Sequence, residues 1–342
     1  VVFGAQTDVM EQRSRRRRPA LRRPRFVTVA ALVLTLAAAA CNGEAQGVDG
    51  QEAAATVASE VASEEAVTAA SAADAKQDCP RPDAASTMEM FELDPDRFSN
   101  PTVIDATHLP MTPGTQHVYE GQAFEDDEEI ERKVIFTVTD LTKTMAGVES
   151  VVIWEQDFND DELVEAELGF FAQDDDGNVW HTGEYYELWE EGEFVGGRMW
   201  YVGAPPCTLA GIQMWADPRP GMPTYSQGFA PAPFFWADRA TIEQFRDRLC
   251  VPAGCFTDVL VTAESDEVDP DAVQLKFYAP DVGGIAVGWR GDDPEMEELK
   301  LVERTELDEA AMRQVRDAAL AMERRAYVYG ETAPAERRAG GQ

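Results

Sequence analysis

The chain has 342 residues, 44% of them apolar and 27% charged, with 25 Gly and 20 Pro. That is the make-up of a globular protein with flexible attachments, neither collagenous nor wholly disordered. Its 29 basic residues against 64 acidic ones give a formal charge of −35, which excludes nucleic acid as a partner, since that affinity comes mainly from Lys and Arg displacing counterions.

Residues 1–40 hold eight Arg, only Asp8 and Glu11 as acids, and an apolar run from Phe26 to Ala40. The run is too short to span a bilayer comfortably and ends in small residues, so the segment reads as an export signal outside the fold. Leu36-Ala37-Ala38-Ala39-Ala40-Cys41 resembles a bacterial lipobox, which makes Cys41 the lipidation site and the membrane the first partner. Ala38 stands where Leu or Val is usual, and cleavage after Ala40 without lipidation is the alternative. Without residues 1–40 the chain keeps 21 basic and 62 acidic residues, about −41 net. Such an excess fits either a salt-adapted surface or an ordinary acidic exported protein.

Residues 41–90 form the next unit. From Asn42 to about Ala85 they are mainly Ala, Glu, Ser, Thr, Asp and Gly, with no aromatic residue. Such a stretch cannot bury a core and reads as a disordered tether.

Residues 91–304 are the folded domain. Period-two alternation marks strands at 116–121, 131–141, 149–158, 163–173, 178–189, 193–202, 257–263 and 273–279. Pro113-Gly114, Asp176-Gly177-Asn178 and Glu191-Gly192 separate several of them as hairpin turns do. Short links imply antiparallel pairing, hence a mainly β domain, either one large curved antiparallel sheet or a sandwich. Residues 204–233 are rich in Pro and Gly and read as loops over the sheet.

Residues 305–330 change period. Met312, Val315, Ala319, Met322 and Ala326 share one helical face, Thr305 with Asp308 resembles a capping box, and Gly330 can close the end. One C-terminal amphipathic helix is expected, followed by a mobile tail over 331–342.

Beyond Cys41 there are four cysteines. Cys250 and Cys255 enclose Val-Pro-Ala-Gly, a turn that brings their β-carbons into bridging range; Cys79 and Cys207 are the remaining pair. The paired C-x-x-C spacing of a zinc site is absent.

Chemistry is harder to find. Asp174-Asp175-Asp176-Gly177-Asn178 resembles half of a calcium loop, with Glu184 as the one cross-strand candidate ligand, yet an ordinary hairpin turn demands the same residues. His108 and His117 flank a Pro-Gly turn near Met111, a spacing that matches no metal signature, and no metal or cofactor is nominated. Neither a nucleophile elbow nor a recognisable Cys–His arrangement occurs. Acidic pairs such as Asp105 and Glu120 arise by chance in so acidic a chain, so no catalytic residue is nominated. Met214, Trp215, Phe234, Phe235 and Trp236 lie in the loop-rich part, where aromatic residues either plug the core or cover an apolar pocket, and these five are the candidate ligand-binding residues.

Four ordered motifs carry a resemblance. They are Ile104-Asp105 through His108-Leu109-Pro110-Met111-Thr112-Pro113-Gly114-Thr115 to Val118-Tyr119-Glu120-Gly121; Phe170-Phe171-Ala172-Gln173-Asp174 with Gly177-Asn178-Val179-Trp180 and Gly183-Glu184; Ala210-Gly211-Ile212 with Met214, Ala216, Pro218 and Gly221; and Lys276-Phe277-Tyr278-Ala279-Pro280 with Gly283. Together, over Phe98 to Leu307, the chain resembles a family of exported bacterial proteins, many of them lipoproteins, without an assigned biochemical function. The chain departs from that pattern at Cys207, Cys250 and Cys255. The resemblance implies an envelope address and a β-rich fold, and it brings no catalytic residues. The expectation is therefore a non-catalytic binder of an apolar ligand or an envelope protein; a hydrolase using paired carboxylates is the alternative.

Overall fold

The computed structural model describes residues 88–125, 128–203, 207–231, 236–266, 270–326 and 334–338. The export signal, Cys41, most of the tether, Cys79, Phe234, Phe235 and Gly330 lie outside the described residues. The strands in chain order are β1 (Thr115–Glu125), β2 (Glu128–Met145), β3 (Val148–Asn159), β4 (Glu162–Gln173), β5 (Val179–Glu190), β6 (Glu193–Tyr201), β7 (Leu209–Met214), β8 (Tyr225–Ser226), β9 (Gly228–Phe229), β10 (Arg239–Val251), β11 (Gly254–Ser265), β12 (Ala272–Ala279), β13 (Gly283–Gly291), β14 (Glu298–Glu306) and β15 (Glu336–Arg337). One helix, α1 (Glu309–Ala326), follows β14.

The strands form one large antiparallel sheet in the order β8-β10-β11-β12-β13-β14-β1-β2-β3-β4-β5-β7-β9, with β6 beside β5 and β15 beside β2. Hairpins dominate the path because short links can join only antiparallel neighbours. The two ends of the path, β8 and β9, are separated in sequence by Gln227 alone. Residues 225–229 therefore form a strap reaching from one edge of the sheet, at β10, to the other, at β7. Gly211 on β7 makes room for it, since a Cβ there would lie 2.1 Å from the Gln227 carbonyl carbon. The sheet must curve for its edges to meet one strap, which gives it a concave face.

Apolar burial is concentrated behind that face. Val138, Leu141, Met145, Val152, Phe170, Tyr185 and Met199 share a core cluster with Ala319, Met322 and Ala326 of α1. A second cluster, Val259, Val261, Phe277, Ala279, Ile285 and Leu301, lies on the β11–β14 half. The helix buries the periodic set Met312, Val315, Ala319, Met322 and Ala326. Three ion pairs fix it: Lys143 Nζ with Glu323 Oε1 at 2.6 Å, Arg316 with both oxygens of Asp140 of β2 at 2.8 and 2.5 Å, and Arg325, which grips both oxygens of the fully buried Glu187 at 2.6 Å.

All eight expected strands are present, with four differences elsewhere. Segment 204–233, expected as loops, contributes β7, β8 and β9, because a strap that pairs at both edges satisfies its backbone groups better than a free loop would. Strands β10, β13 and β14 were not marked by alternation. Asp308 alone caps α1, accepting from the Ala311 N–H at 2.8 Å, while Thr305 lies in β14 and donates to Glu303. In the tail expected to be mobile, Glu336 and Arg337 pair with Thr142 and Leu141, and the Ala335 N–H donates to Glu323.

Cys250 and Cys255 face each other as register partners across the β10–β11 hairpin and are disulfide-bonded, with a Cα separation of 4.0 Å. Cys207 is also disulfide-bonded; its expected partner, Cys79, lies outside the described residues.

Candidate functional site

Side chains of a strand alternate between faces, and in this chain the alternation sends polar groups inward. Val134 pairs with Asp157 and Phe136 with Glu155 between β2 and β3; Glu155 pairs with Glu167 and Asp157 with Glu165 between β3 and β4. Glu184 of β5 is opposite Gly169 of β4. From the far half of the sheet, Gln274, Lys276 and Tyr278 of β12 and Glu264 of β11 point into the same space. The result is a cavity of about 330 Å³. Its walls carry the carboxyls of Glu155, Asp157, Glu167, Glu184, Asp238, Glu264, Glu295 and Glu297, the cations Arg132 and Lys276, and the imidazoles of His117 and His181.

Arg132 organises one side. It donates to Asp157 Oδ2 at 2.5 Å, to Glu297 Oε1 at 3.0 Å and to Asn159 Oδ1 at 2.8 Å, and Gln274 donates to Glu297 Oε2 at 2.9 Å. Glu264 Oε1 accepts from Thr262 at 2.9 Å and from Gln227 of the strap at 3.2 Å. Lys276 makes neither a hydrogen bond nor an ion pair within 4 Å among the described residues; Glu264, Glu297, Glu155 and Asp157 surround its charge and hold its pKa up against burial.

Burial, reinforced by neighbouring carboxylates, raises the acids. Glu165 is pushed up to about 7, first by burial and then by Asp157. Asp238 is likewise at about 7, by burial and then Glu264. Glu155 and Asp157 are raised chiefly by burial, against which Lys276 and Arg132 respectively pull. Glu167 and Glu184 are raised well above the carboxylate range by burial and then by other carboxylates, with no cation opposing. Burial moves the histidines the other way, His117 and His181 each to about 4, so both are neutral at physiological pH.

The hydrogen bonds fix the tautomer of His117. Tyr119 gives its single O–H to the Gly284 carbonyl at 2.9 Å, so at 3.1 Å the His117 Nδ1 must be the donor to the Tyr119 oxygen. Its Nε2 then carries a lone pair and has no partner.

No family model and no curated protein matches the chain. Among solved structures it is similar to a protein designated exported, with a YmcC-like fold, from Bacteroides fragilis NCTC 9343, at 11% identity and a TM-score of 0.33 over 58% of this chain and 99% of that one. It is also similar to a protein designated a lipoprotein from Parabacteroides distasonis ATCC 8503, at 12% identity and a TM-score of 0.32 over 59% and 100%.

Of the five residues nominated from sequence for ligand binding, Trp236 lies on the cavity wall. Met214 is fully buried in the core cluster, and Trp215 packs edge-on against Phe91 and Tyr225 instead of facing the cavity. Phe234 and Phe235 lie outside the described residues. Asp174 is saturated by donors: the backbone N–H groups of Asp176 and Asn178, the Asn178 amide and Trp180 Nε1. The calcium half-loop is thus a turn, and Glu184 belongs to the cavity. Asp105 bonds Gln173, and His108 packs on Phe245. Trp236, Glu184, His117 and Met111 were singled out from sequence, but the acids Glu155, Asp157 and Glu167 that dominate the wall were not. The available signal was the spacing Glu155-Gln-Asp157 and Glu165-Ala-Glu167, acids on one face of two adjoining strands.

Proposed function

We propose that this chain is an exported bacterial envelope protein, held to the membrane through lipidated Cys41, and that its cavity binds a small polar ligand. The charged wall carries this reading: eight carboxyls, two cations and two neutral imidazoles line one cavity. Desolvating so many ionisable groups costs several kcal/mol per ion unless each finds a partner, and a bound polar molecule offers those partners. The ionisable groups favour a ligand with polar groups over the purely apolar one expected from the loop aromatics, of which Trp236 alone lines the cavity among the described residues, while Val134, Phe136, Ile153, Phe171 and Leu299 leave room for an aliphatic part. Exposing the purified protein to the small-molecule fraction of an envelope extract, followed by native mass spectrometry, tests it. A polar molecule retained by the wild type and lost on Glu155→Gln supports the proposal; retention of apolar molecules only, or of none, overturns it.

A hydrolase is the second reading, favoured by the opposed pairs Glu155–Glu167 and Asp157–Glu165. Raised acids beside ionised ones can divide general-acid and general-base roles. Turnover of the retained molecule, abolished by Glu155→Gln, separates an enzyme from a binder.

A further inference from the structure

The charge on the cavity wall is unevenly balanced. Arg132 is bonded to Asp157 and Glu297, and Lys276 is surrounded by Glu264, Glu297, Glu155 and Asp157. Among the described residues the β4–β5 side has no such counter-ion. The charges acting on Glu167 are Glu184, Glu155, Glu165 and Asp157, and those acting on Glu184 are Asp238, Glu165 and Glu155. Neither carboxyl accepts a hydrogen bond among the described residues, although Glu184 is only 5% exposed.

His181 is the independent observation. It lines the same cavity, is 5% exposed, and its Nε2 is buried without a hydrogen-bond partner, 3.9 Å from Glu184 Oε2. The ring is stacked on Phe171 at 4.7 Å, braced edge-on by Trp200 at 4.9 Å and interacts with the backbone of Gly183 and Gln227, so it is held in place. Gly169 keeps the space between the acids open. It is the register partner of Glu184, and a Cβ on it would lie 3.2 Å from Glu167 Oε1 and 2.8 Å from the Phe171 ring.

We propose that Glu167, Glu184 and His181 form a subsite for an aliphatic ammonium or guanidinium group, which makes the cavity ligand a small organic amine. The assignment rests on the reading of the cavity as a polar-ligand site and names the ligand class. The two carboxyls offer acceptors and lack a cation, and the unpartnered His181 Nε2 sits beside them; an N–H-rich cation supplies both the charge and the donors. Among the described residues no three such groups converge tightly enough to hold a metal ion, and about 330 Å³ of cavity is room for a molecule of several heavy atoms. Without ligand, burial first and neighbouring carboxylates second favour the protonated form of both acids. An entering cation reverses that balance, so binding releases protons to solvent.

Calorimetry of the purified protein with putrescine, spermidine and agmatine near pH 7, in two buffers of different ionisation enthalpy, tests this. The expected result is binding of at least one amine with net proton release. Affinity should weaken by about tenfold or more in both Glu184→Gln and Glu167→Gln, about 1.4 kcal/mol each, and be retained in Glu120→Gln, whose site lies outside the cavity. Both cavity variants replace a protonated acid by its neutral isostere, and unchanged melting would show that they fold. The inference is overturned if no amine binds, if 1,4-butanediol binds as tightly as putrescine, or if neither variant weakens binding. Retention of a neutral polar molecule from the extract alongside failure of the amines would sink the amine assignment and leave the polar-ligand reading standing.

Discussion

Glu155 and Glu167 are directly opposed across β3 and β4, on the face that lines the cavity. Cβ atoms of such a pair lie about 5 Å apart, and like charges there repel. Burial adds a larger penalty on the ionised forms, so both carboxyls are held above their ordinary range. An acid raised in the folded state binds more protons folded than unfolded between the two pKa values. Its stabilising contribution is therefore complete below the unfolded value and is lost as pH rises through the folded one. With Glu165 and Asp238 raised from ordinary values of 4.5 and 3.8 to about 7, the melting temperature should rise on acidification from about pH 7 to about pH 5. Glu155→Gln should raise melting at the alkaline end, where the native acid is forced to ionise, and change it little near pH 4. A melting temperature that climbs as pH rises from about 5 to about 7 would refute this.

The histidines work against the acids at lower pH. His117 and His181 are lowered from 6.5 to about 4, each mainly by burial. The unfolded state binds more protons between those values, so their contribution is present above 6.5 and lost as pH falls toward 4. The gain on acidification should flatten below about pH 6.5. His117→Asn should make the rise continue further, read as a steeper slope of melting temperature between about pH 6.5 and 5. An unchanged slope would show that His117 does not titrate in this way.

Which of these features the sequence displays depends on periodicity. Strands β1 to β6 alternate clearly because their outward sides build the apolar cores, through residues such as Val152, Phe170, Tyr185 and Met199. Strand β10 hides its nature because most of Glu243 to Cys250 is exposed on both faces, leaving no apolar alternation to read. Strand β13 is broken by Gly283, Gly284, Gly288 and Gly291. The strap at 225–229 is invisible for a different reason: its pairing partners are set by closure of the sheet and not by its own residues. The cavity was missed because Glu155, Glu167 and Glu184 resemble the polar outer face of an ordinary strand. Only the curvature of the sheet turns that face inward.

Arg325 should hold the helix to the sheet. Glu187 is fully buried, accepts two bonds from Arg325 and one from Tyr185, and lies on the opposite face of β5 from Glu184. Arg325→Ala leaves the carboxylate with the tyrosine as its only partner among the described bonds. Partial exposure of Arg325 lessens the loss, which should be about 1–3 kcal/mol in denaturant unfolding. Ligand binding should persist, because the pair lies outside the cavity. Unaltered stability would show that the apolar face and the Lys143–Glu323 and Arg316–Asp140 pairs hold the helix without Arg325.

The disulfide between Cys250 and Cys255 closes a short loop at the end of a hairpin already paired in register. Chain-entropy reasoning assigns about 2 kcal/mol to so short a loop as an upper bound. Replacing both cysteines with serine should lower stability by no more than that and leave the cavity intact. Peptide mapping without reductant should recover the two cysteines joined; free thiols at both positions in exported protein would refute the bond.

Salt separates the surface acids from those in the cavity. After removal of residues 1–40 the chain carries about 41 net negative charges, and exposed ones such as Glu128, Glu129, Glu298 and Glu303 repel across solvent. The screening length falls from about 30 Å at 0.01 M to about 3 Å at 1 M, so melting temperature should rise with sodium chloride over that range. Chloride is a cleaner probe than sulfate, which also strengthens apolar burial. The cavity acids are enclosed by protein and are screened much less. The stabilisation given by Glu155→Gln at alkaline pH should therefore persist in 1 M salt. A melting temperature that is flat or falls with chloride would mean that surface repulsion does not limit stability. An effect of Glu155→Gln that vanishes in salt would mean that the cavity admits counterions freely.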